Sequence, residues 1–163
     1  MKKILLILVA LLFVSCGYKP SAKFARNVVG DKVSTSVIIS SRDPENSVIV
    51  KDSVDLAIIE VFHASLVDKK KAQTHLELKI NNPSYIPIQY DKNGYIVAYR
   101  TTVILDITRY KNGTIKKYQT KGTYDFTITP NSVITDQERF QAIKEGAKKA
   151  IKSFLAKISV EGY

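Results

Sequence analysis

Few residues of this chain are of the types that carry out enzymatic or metal chemistry. The 163 residues include one cysteine, Cys16, and two histidines, His63 and His75. Neither histidine has a Cys, Asp or second His at the spacing that metal ligands need, so the sequence predicts no metal site. No serine lies in the glycine-flanked turn of a hydrolase nucleophile, and there is no glycine-rich phosphate loop. We therefore expect neither an enzyme nor a bound cofactor.

Cys16 is instead placed for covalent lipid attachment. Residues 1–3 carry two lysines, and residues 4–14 are an unbroken apolar run. That run is too short to span a bilayer, which takes about 20 residues, but it has the length of the apolar part of a secretory signal. The small Ser15 then precedes Cys16, as in bacterial lipoprotein signals, where the cysteine is acylated and the residues before it are removed. The alternative is a plain signal peptide or a short N-terminal anchor with a buried cysteine.

This interpretation divides the chain into three regions. We expect a lipoprotein signal peptide at residues 1–15, an acylated tether at 16–31 and a single α+β domain at 32–163. A domain of that length buries enough surface to form a core without disulfides. Gly17, rather than Asp, follows the cysteine, which by the sorting rule of enteric bacteria favours the outer membrane. We expect a lipid-anchored protein at the outer membrane that faces the periplasm.

The first half of the domain predicts a strand and then a helix. In residues 33–39 one set of side chains alternates with another, which is typical of a strand: Val33, Thr35, Val37 and Ile39 alternate with Ser34, Ser36 and Ile38. Asp43 as N-cap and Pro44 at the first helical position begin a helix that we place at 44–66. Its apolar stripe comprises Val50, Val54, Ile58, Val61 and Phe62, widened by Leu56, Ile59 and Leu66.

The second half predicts three strands and a second helix. The first of these strands begins near residue 76 and should bend or lie at an edge, because Pro83 and Pro87 interrupt it. Asn-Gly pairs at 93–94 and 112–113 predict the two turns that connect these three strands. Thr135 and Glu138 form a capping box. The helix that they begin has an apolar stripe of Phe140, Ile143, Ala147, Ile151, Phe154, Leu155 and Ile158.

The element order β-α-β-β-β-α predicts an α+β fold. Two amphipathic helices can cover one half-apolar face of a sheet. We expect a two-layer sandwich in which a mostly antiparallel four-stranded sheet carries both helices on one face.

Basic residues outnumber acidic ones, 25 to 15, and the formal net charge is +10. Alternation places Arg100, Lys117 and Lys121 on the sheet face opposite the helices, together with acidic residues. That face is either an ordinary solvated surface or a surface for an anionic ligand or charged partner. Nucleic acid is not expected, because an acylated protein outside the cytoplasm does not normally meet it.

The start Cys16-Gly17-Tyr18-Lys19, the element order and the basic Asn-Gly hairpin together resemble the LptE-type lipopolysaccharide-assembly lipoproteins. The resemblance implies a non-enzymatic protein that sits inside a large outer-membrane β-barrel, an LptD-like translocon. It also implies that the protein helps this barrel to assemble and binds lipopolysaccharide on its way to the outer leaflet.

The resemblance bears on one candidate contact directly. Lys92, in the turn Lys92-Asn93-Gly94, matches the family position that contacts lipopolysaccharide. Lys117, Lys121 and Arg100 are further candidates that rest on the alternation pattern alone. The alternative function is a lipoprotein component of a phospholipid transport system, or a purely structural lipoprotein of the envelope.

Overall fold

The computed structural model describes residues 26–38, 48, 51–52, 54–56, 58–60, 63–81 and 83–161. The strands are β1 (Lys32–Ile38), β2 (Ser65–Leu66), β3 (Thr74–Ile80), β4 (Ser84–Tyr90), β5 (Ile96–Lys111) and β6 (Thr114–Thr127). A 26-residue helix, Asp136–Glu161, is called the C-terminal helix below. A 3-10 turn, Lys69–Lys71, precedes β3. Residues 26–29 and the described residues between 48 and 60 are also helical.

The long strand β5 organises the sheet. On one side it pairs antiparallel with β3 along residues 105–110 and with β4 along residues 96–102, and on the other side with the whole of β6. Beyond β3, β1 pairs with it in parallel, and β2 pairs in parallel with β1. The sheet is therefore mixed and six-stranded, and our prediction of a mostly antiparallel four-stranded sheet was wrong. The parallel pair arises because a helical connection returns the chain to the same end of the sheet before β3 begins.

The first predicted helix is shorter than expected. Its described residues are helical up to residue 60, whereas Ser65–Leu66 is a strand. The amide of Ser65 donates to the carbonyl of Asp31, and that of Val67 to the carbonyl of Val33. Hydrogen bonding to the open edge of β1 therefore outweighs the helical spacing of Leu66. Residues 44–47, together with Val50, Val61 and Phe62, lie outside the described residues.

The apolar stripe of this helix is also narrower than predicted. Val54 and Ile58 are fully buried in the core, whereas Leu56 and Ile59 are about half exposed. Val29 belongs to the same core, so packing extends into the segment that the sequence suggested as tether.

The C-terminal helix begins with the predicted capping box. The amide of Thr135 donates to the Glu138 carboxylate at 2.7 Å, and the amide of Glu138 donates to the Thr135 hydroxyl at 3.3 Å. Its buried stripe packs on the sheet as predicted, except that Phe140 is 45% exposed. The fully buried apolar residues of the stripe are Ile143, Ala147, Ile151, Phe154 and Ile158.

The helix lies unusually close to β6, which is an edge strand of the sheet. Lys157 Nζ donates to the carbonyl of Gln119 at 2.5 Å, and Ser153 Oγ donates to that of Lys121 at 3.3 Å. These bonds satisfy outward-facing carbonyls of the strand, so the helix covers part of this edge. The face of the sheet that points away from the C-terminal helix is called the open face below. It carries the polar residues that alternate with the core residues along the strands.

Both Asn-Gly turns form where they were predicted. Gly94 has a φ of 84°, and Asn112 and Gly113 have φ values of 48° and 73°. The strand β4 is the last in the row of strands β2-β1-β3-β5-β4, and its pairing with β5 becomes irregular after Pro87. The prediction was that the prolines would bend this strand or leave it at an edge, and the edge position is what the structure shows.

Candidate functional site

The predicted lipid attachment site, Cys16, lies outside the described residues. The first described residue is Arg26, and its guanidinium pairs with Asp31 at 3.3 Å. In the described part of the chain, no helix combines the length and apolar character needed to cross a membrane.

Lys92 lies at the tip of a rigid loop. The Asp91 carboxylate accepts the amides of Asn93 and Tyr95, both at 2.8 Å, and the amide of Asp91 donates to the carbonyl of Tyr95. The Asp91 side chain therefore fixes the backbone of the loop. Lys92 is exposed and forms no ion pair with any described residue. The loop thus presents one unpaired cation at the end of the β4–β5 hairpin.

Arg100 is already occupied. Its Nε and Nη2 donate to the two carboxylate oxygens of Asp125, both at 2.7 Å, as a bidentate pair across β5 and β6. The hydrogen bond from Arg100 lowers the pKa of the Asp125 carboxyl. An anionic ligand would have to displace Asp125, so Arg100 is the weakest of the four candidate cations.

Lys117 and Lys121 lie on the open face of β6, opposite Thr108 and Ile104 of β5. Both are exposed, and neither forms an ion pair within the described ranges. Lys117 borders a shallow depression of about 430 Å³ that is also lined by Lys79, Glu77 and Asp106. Asp106 accepts from Asn81 Nδ2 at 3.1 Å and Gln119 Nε2 at 2.9 Å, so amides rather than lysines engage this carboxylate.

The structure does not unite the four candidate cations in one site. Lys117 pairs with Thr108 near one end of β5, whereas Lys92 follows β4 at the other end, before Ile96. At about 3.3 Å per residue, that separation along the strand is about 40 Å. Lys121 and Arg100 lie between these positions. Two separate cationic regions result, the hairpin tip and the open face of β6.

Sequence reasoning missed a buried polar cluster on the open face. His75 is 7% exposed, and its Nδ1 and Nε2 lie 2.8 and 3.1 Å from the hydroxyls of Ser34 and Ser36. Burial, with a contribution from Lys69, lowers the pKa of His75. Because both ring nitrogens are taken by hydroxyls, the cluster stabilises the β1–β3 pair. The period-two serines opposite a strand histidine could have revealed it, had the parallel register been known.

A second missed cluster lies at the end of the C-terminal helix. Glu161 accepts from Lys116 Nζ at 3.1 Å and from the Tyr118 hydroxyl at 3.0 Å, and lies 3.5 Å from Arg109. Burial and the hydrogen bond to Glu161 raise the pKa of Tyr118 to about 12. The cluster fastens the helix end to β5 and β6. Over the described residues, no group of three or more His, Cys, Asp or Glu side chains could hold a metal ion.

The comparisons with known proteins bear on the whole domain. A family model described as LptE, lipopolysaccharide-assembly, matches residues 34–158. Similar solved structures include rare lipoprotein B from Shewanella oneidensis, 12% identical with a TM-score of 0.47 over 80% of this chain and 98% of that chain. They also include a minor lipoprotein from Acinetobacter baumannii, 9% identical with a TM-score of 0.48 over 82% of this chain and 93% of that chain. No curated protein sequence matches at a significant level.

Proposed function

The chain belongs to the LptE lipopolysaccharide-assembly family, and we propose that it is an outer-membrane lipoprotein that plugs a β-barrel translocon and assists the assembly of that barrel. In this role it binds lipopolysaccharide for delivery to the outer leaflet and has no catalytic activity. The family match from residue 34 to 158 carries the proposal, because it runs from β1 to the last turns of the C-terminal helix.

The open face supports a position inside a barrel. The lumen of an outer-membrane barrel is polar, so a protein within it needs polar outer surfaces of mixed charge. The open face carries lysines beside Glu77 and Asp106, and the pair of Arg100 with Asp125. The same face also exposes Ile38 and Ile86, so a partner's polar wall would meet mainly charged groups with a few apolar side chains among them.

Lipopolysaccharide phosphates are the anions that the cationic regions would bind. A lysine acts on a phosphate as a compact point charge, and Lys92 projects from a loop whose backbone is already held by Asp91. We assign the first contact to Lys92 and a second region to Lys117 and Lys121. Arg100 contributes only where the ligand displaces Asp125.

Two experiments test this function. In the first, the tagged protein is purified from its own membranes, and recovery of a large outer-membrane barrel is expected. Recovery of phospholipid-transport components instead would replace the proposal with that alternative.

The second experiment measures lipopolysaccharide binding by Lys92→Glu at two ionic strengths. Lys152→Glu, an exposed position on the C-terminal helix, makes the same charge change and is the control. We expect Lys92→Glu to weaken binding, and more at low salt than at high salt. Its stability should stay within about 0.5 kcal/mol of wild type. Unchanged binding at both salts would show that Lys92 is only a solvated turn residue.

A further inference from the structure

The topology brings a group of lysines to one end of the sheet. There β1 and β3 begin, β5 ends and β6 begins, and the 3-10 turn precedes β3. We call this region the basic end. Its lysines are Lys32, Lys69, Lys70, Lys71, Lys111 and Lys116.

The acidic residues at the basic end are fewer than its basic residues, and one of them, Asp68, directly precedes the turn Lys69–Lys71. Asp31 is paired with Arg26, and Glu161 is shared between Lys116 and Arg109. The three lysines of the turn Lys69–Lys71 are all exposed, and none forms an ion pair with a residue of the described chain. The basic end therefore carries a net positive charge.

Two large apolar side chains are exposed at the same end. Ile115 follows the β5–β6 turn and is 59% exposed, and Val160 in the last turn of the C-terminal helix is 74% exposed. Apolar side chains set among lysines are typical of surfaces that lie in the headgroup region of a membrane.

The chain also reaches the domain at this end. Helical residues 26–29 lie against the end of β5, because Lys111 Nζ donates to the carbonyls of Asn27 and Val28 at 3.2 and 2.7 Å. The segment from Cys16 to Arg26 can span at most about 35 Å when fully extended. An acyl anchor on Cys16 would therefore hold the basic end, rather than Lys92, near the leaflet that contains the anchor.

We propose that the basic end binds the headgroups of anionic phospholipids and orients the domain with Lys92 at the end farthest from those headgroups. The orientation rests on the acyl anchor of the proposed function, whereas the lipid contact rests on the basic end alone. Each basic residue near an anionic leaflet is worth about fivefold in partitioning.

The test uses the chain from residue 16 with Cys16→Ser, so that no acyl chain contributes. Its cosedimentation is measured with vesicles of phosphatidylcholine alone and of phosphatidylcholine mixed equally with phosphatidylglycerol. Lys69→Glu/Lys70→Glu is compared with Lys144→Glu/Lys152→Glu, which makes the same charge change on the C-terminal helix. Thermal melts of both variants separate a loss of binding from a loss of the fold.

We expect binding to the mixed vesicles only, with a strong decrease at high salt. Lys69→Glu/Lys70→Glu should weaken it by at least about 25-fold, and the control much less. Equal weakening by the two variants, or equal binding to both kinds of vesicle, would overturn the inference. The vesicles contain neither lipopolysaccharide nor a barrel, so that result would leave the proposed function intact. Conversely, failure to recover a barrel would leave the lipid contact intact.

Discussion

We predict that the contact between the C-terminal helix and β6 has no room for a side chain at Gly122. A Cβ on Gly122 would lie 2.0 Å from the carbonyl oxygen of Gly146 and 2.5 Å from the amide nitrogen of Ala150. Both are backbone atoms of the helix, so only movement of the helix away from the sheet can relieve the overlap. A Cβ on Gly146 would instead lie 2.6 Å from Val103 Cγ2, a side-chain atom that can yield.

The two substitutions should therefore differ in cost. Overpacking of a core usually costs about 1–3 kcal/mol. Gly122→Ala should lower the free energy of unfolding by about 3 kcal/mol or more, because it also separates the buried helix stripe from the sheet. Gly146→Ala regains about 1 kcal/mol of helix propensity, so its net loss should be about 1 kcal/mol. Against a typical total of about 5–15 kcal/mol, the first loss threatens the fold and the second does not.

Urea unfolding of both variants, alone and combined with Val103→Ala, is the assay. Truncating Val103 removes the atom that meets the new methyl group of Gly146→Ala, so that pair should be less destabilised than the sum of its single changes. The same truncation should not rescue Gly122→Ala. A Gly122→Ala stability within about 0.5 kcal/mol of wild type would refute the close approach of helix and strand.

Three further predictions concern the core, a buried histidine and the anchor. Phe154→Ala should cost about 3–5 kcal/mol in urea unfolding, because Phe154 is fully buried against Tyr118. Lys148→Ala, which removes an exposed ion pair with a helical glutamate, should cost at most about 1 kcal/mol, and similar losses would contradict the helix orientation. The lowered pKa of His75 means that the unfolded chain binds the proton more readily, so stability should fall as the pH drops below about 6.5; His75→Gln should lose this dependence, and an unchanged pH profile would contradict it. Cys16→Ser should leave the precursor uncleaved by the lipoprotein signal peptidase and without an acyl anchor, which mass spectrometry of the purified protein checks; cleavage before residue 16 in that variant would contradict a lipoprotein signal.

Local signals in the sequence predicted much of the fold. The capping box, both Asn-Gly turns and the buried face of β5 depend on residues within a few positions of one another. For example, Val103, Leu105 and Ile107 lie two residues apart, as on one face of a strand, and are all buried. The interactions that stabilise these features act within one turn or one strand, so the local sequence pattern is sufficient to locate the features.

Strand pairing depended on contacts that the sequence pattern does not contain. Ser65–Leu66 is a strand only because the edge of β1 lies within reach. Ser65 pairs with Lys32, which lies 33 residues earlier in the chain. Similarly, β3 and β4 read as one bent strand, and only their separate pairing along β5 makes them two. Period-two patterns specify which face is buried but not which neighbour is chosen.

The same limit applies to the candidate site. Exposure of Lys92 follows from its turn, and exposure of Lys117 and Lys121 follows from alternation. Their distance from Lys92 follows only from the registers of β4 and β6 on β5, so their grouping could not be predicted. The basic end escaped prediction for this reason too, because four strand ends and a 3-10 turn assemble it.

The length of β5 sets the distance between the basic end and Lys92, and this distance is close to the thickness of a bilayer. Its 16 residues span about 50 Å, whereas a bilayer with its headgroups is about 40–45 Å thick. In the proposed orientation, the basic end contacts headgroups on the anchored side while the β4–β5 hairpin runs along the barrel lumen. Lys92 would then reach the headgroup level of the far leaflet, where lipopolysaccharide phosphates reside after transport. In this proposed arrangement, one strand would separate a cationic surface for the anchoring leaflet from a cation for the delivered lipid.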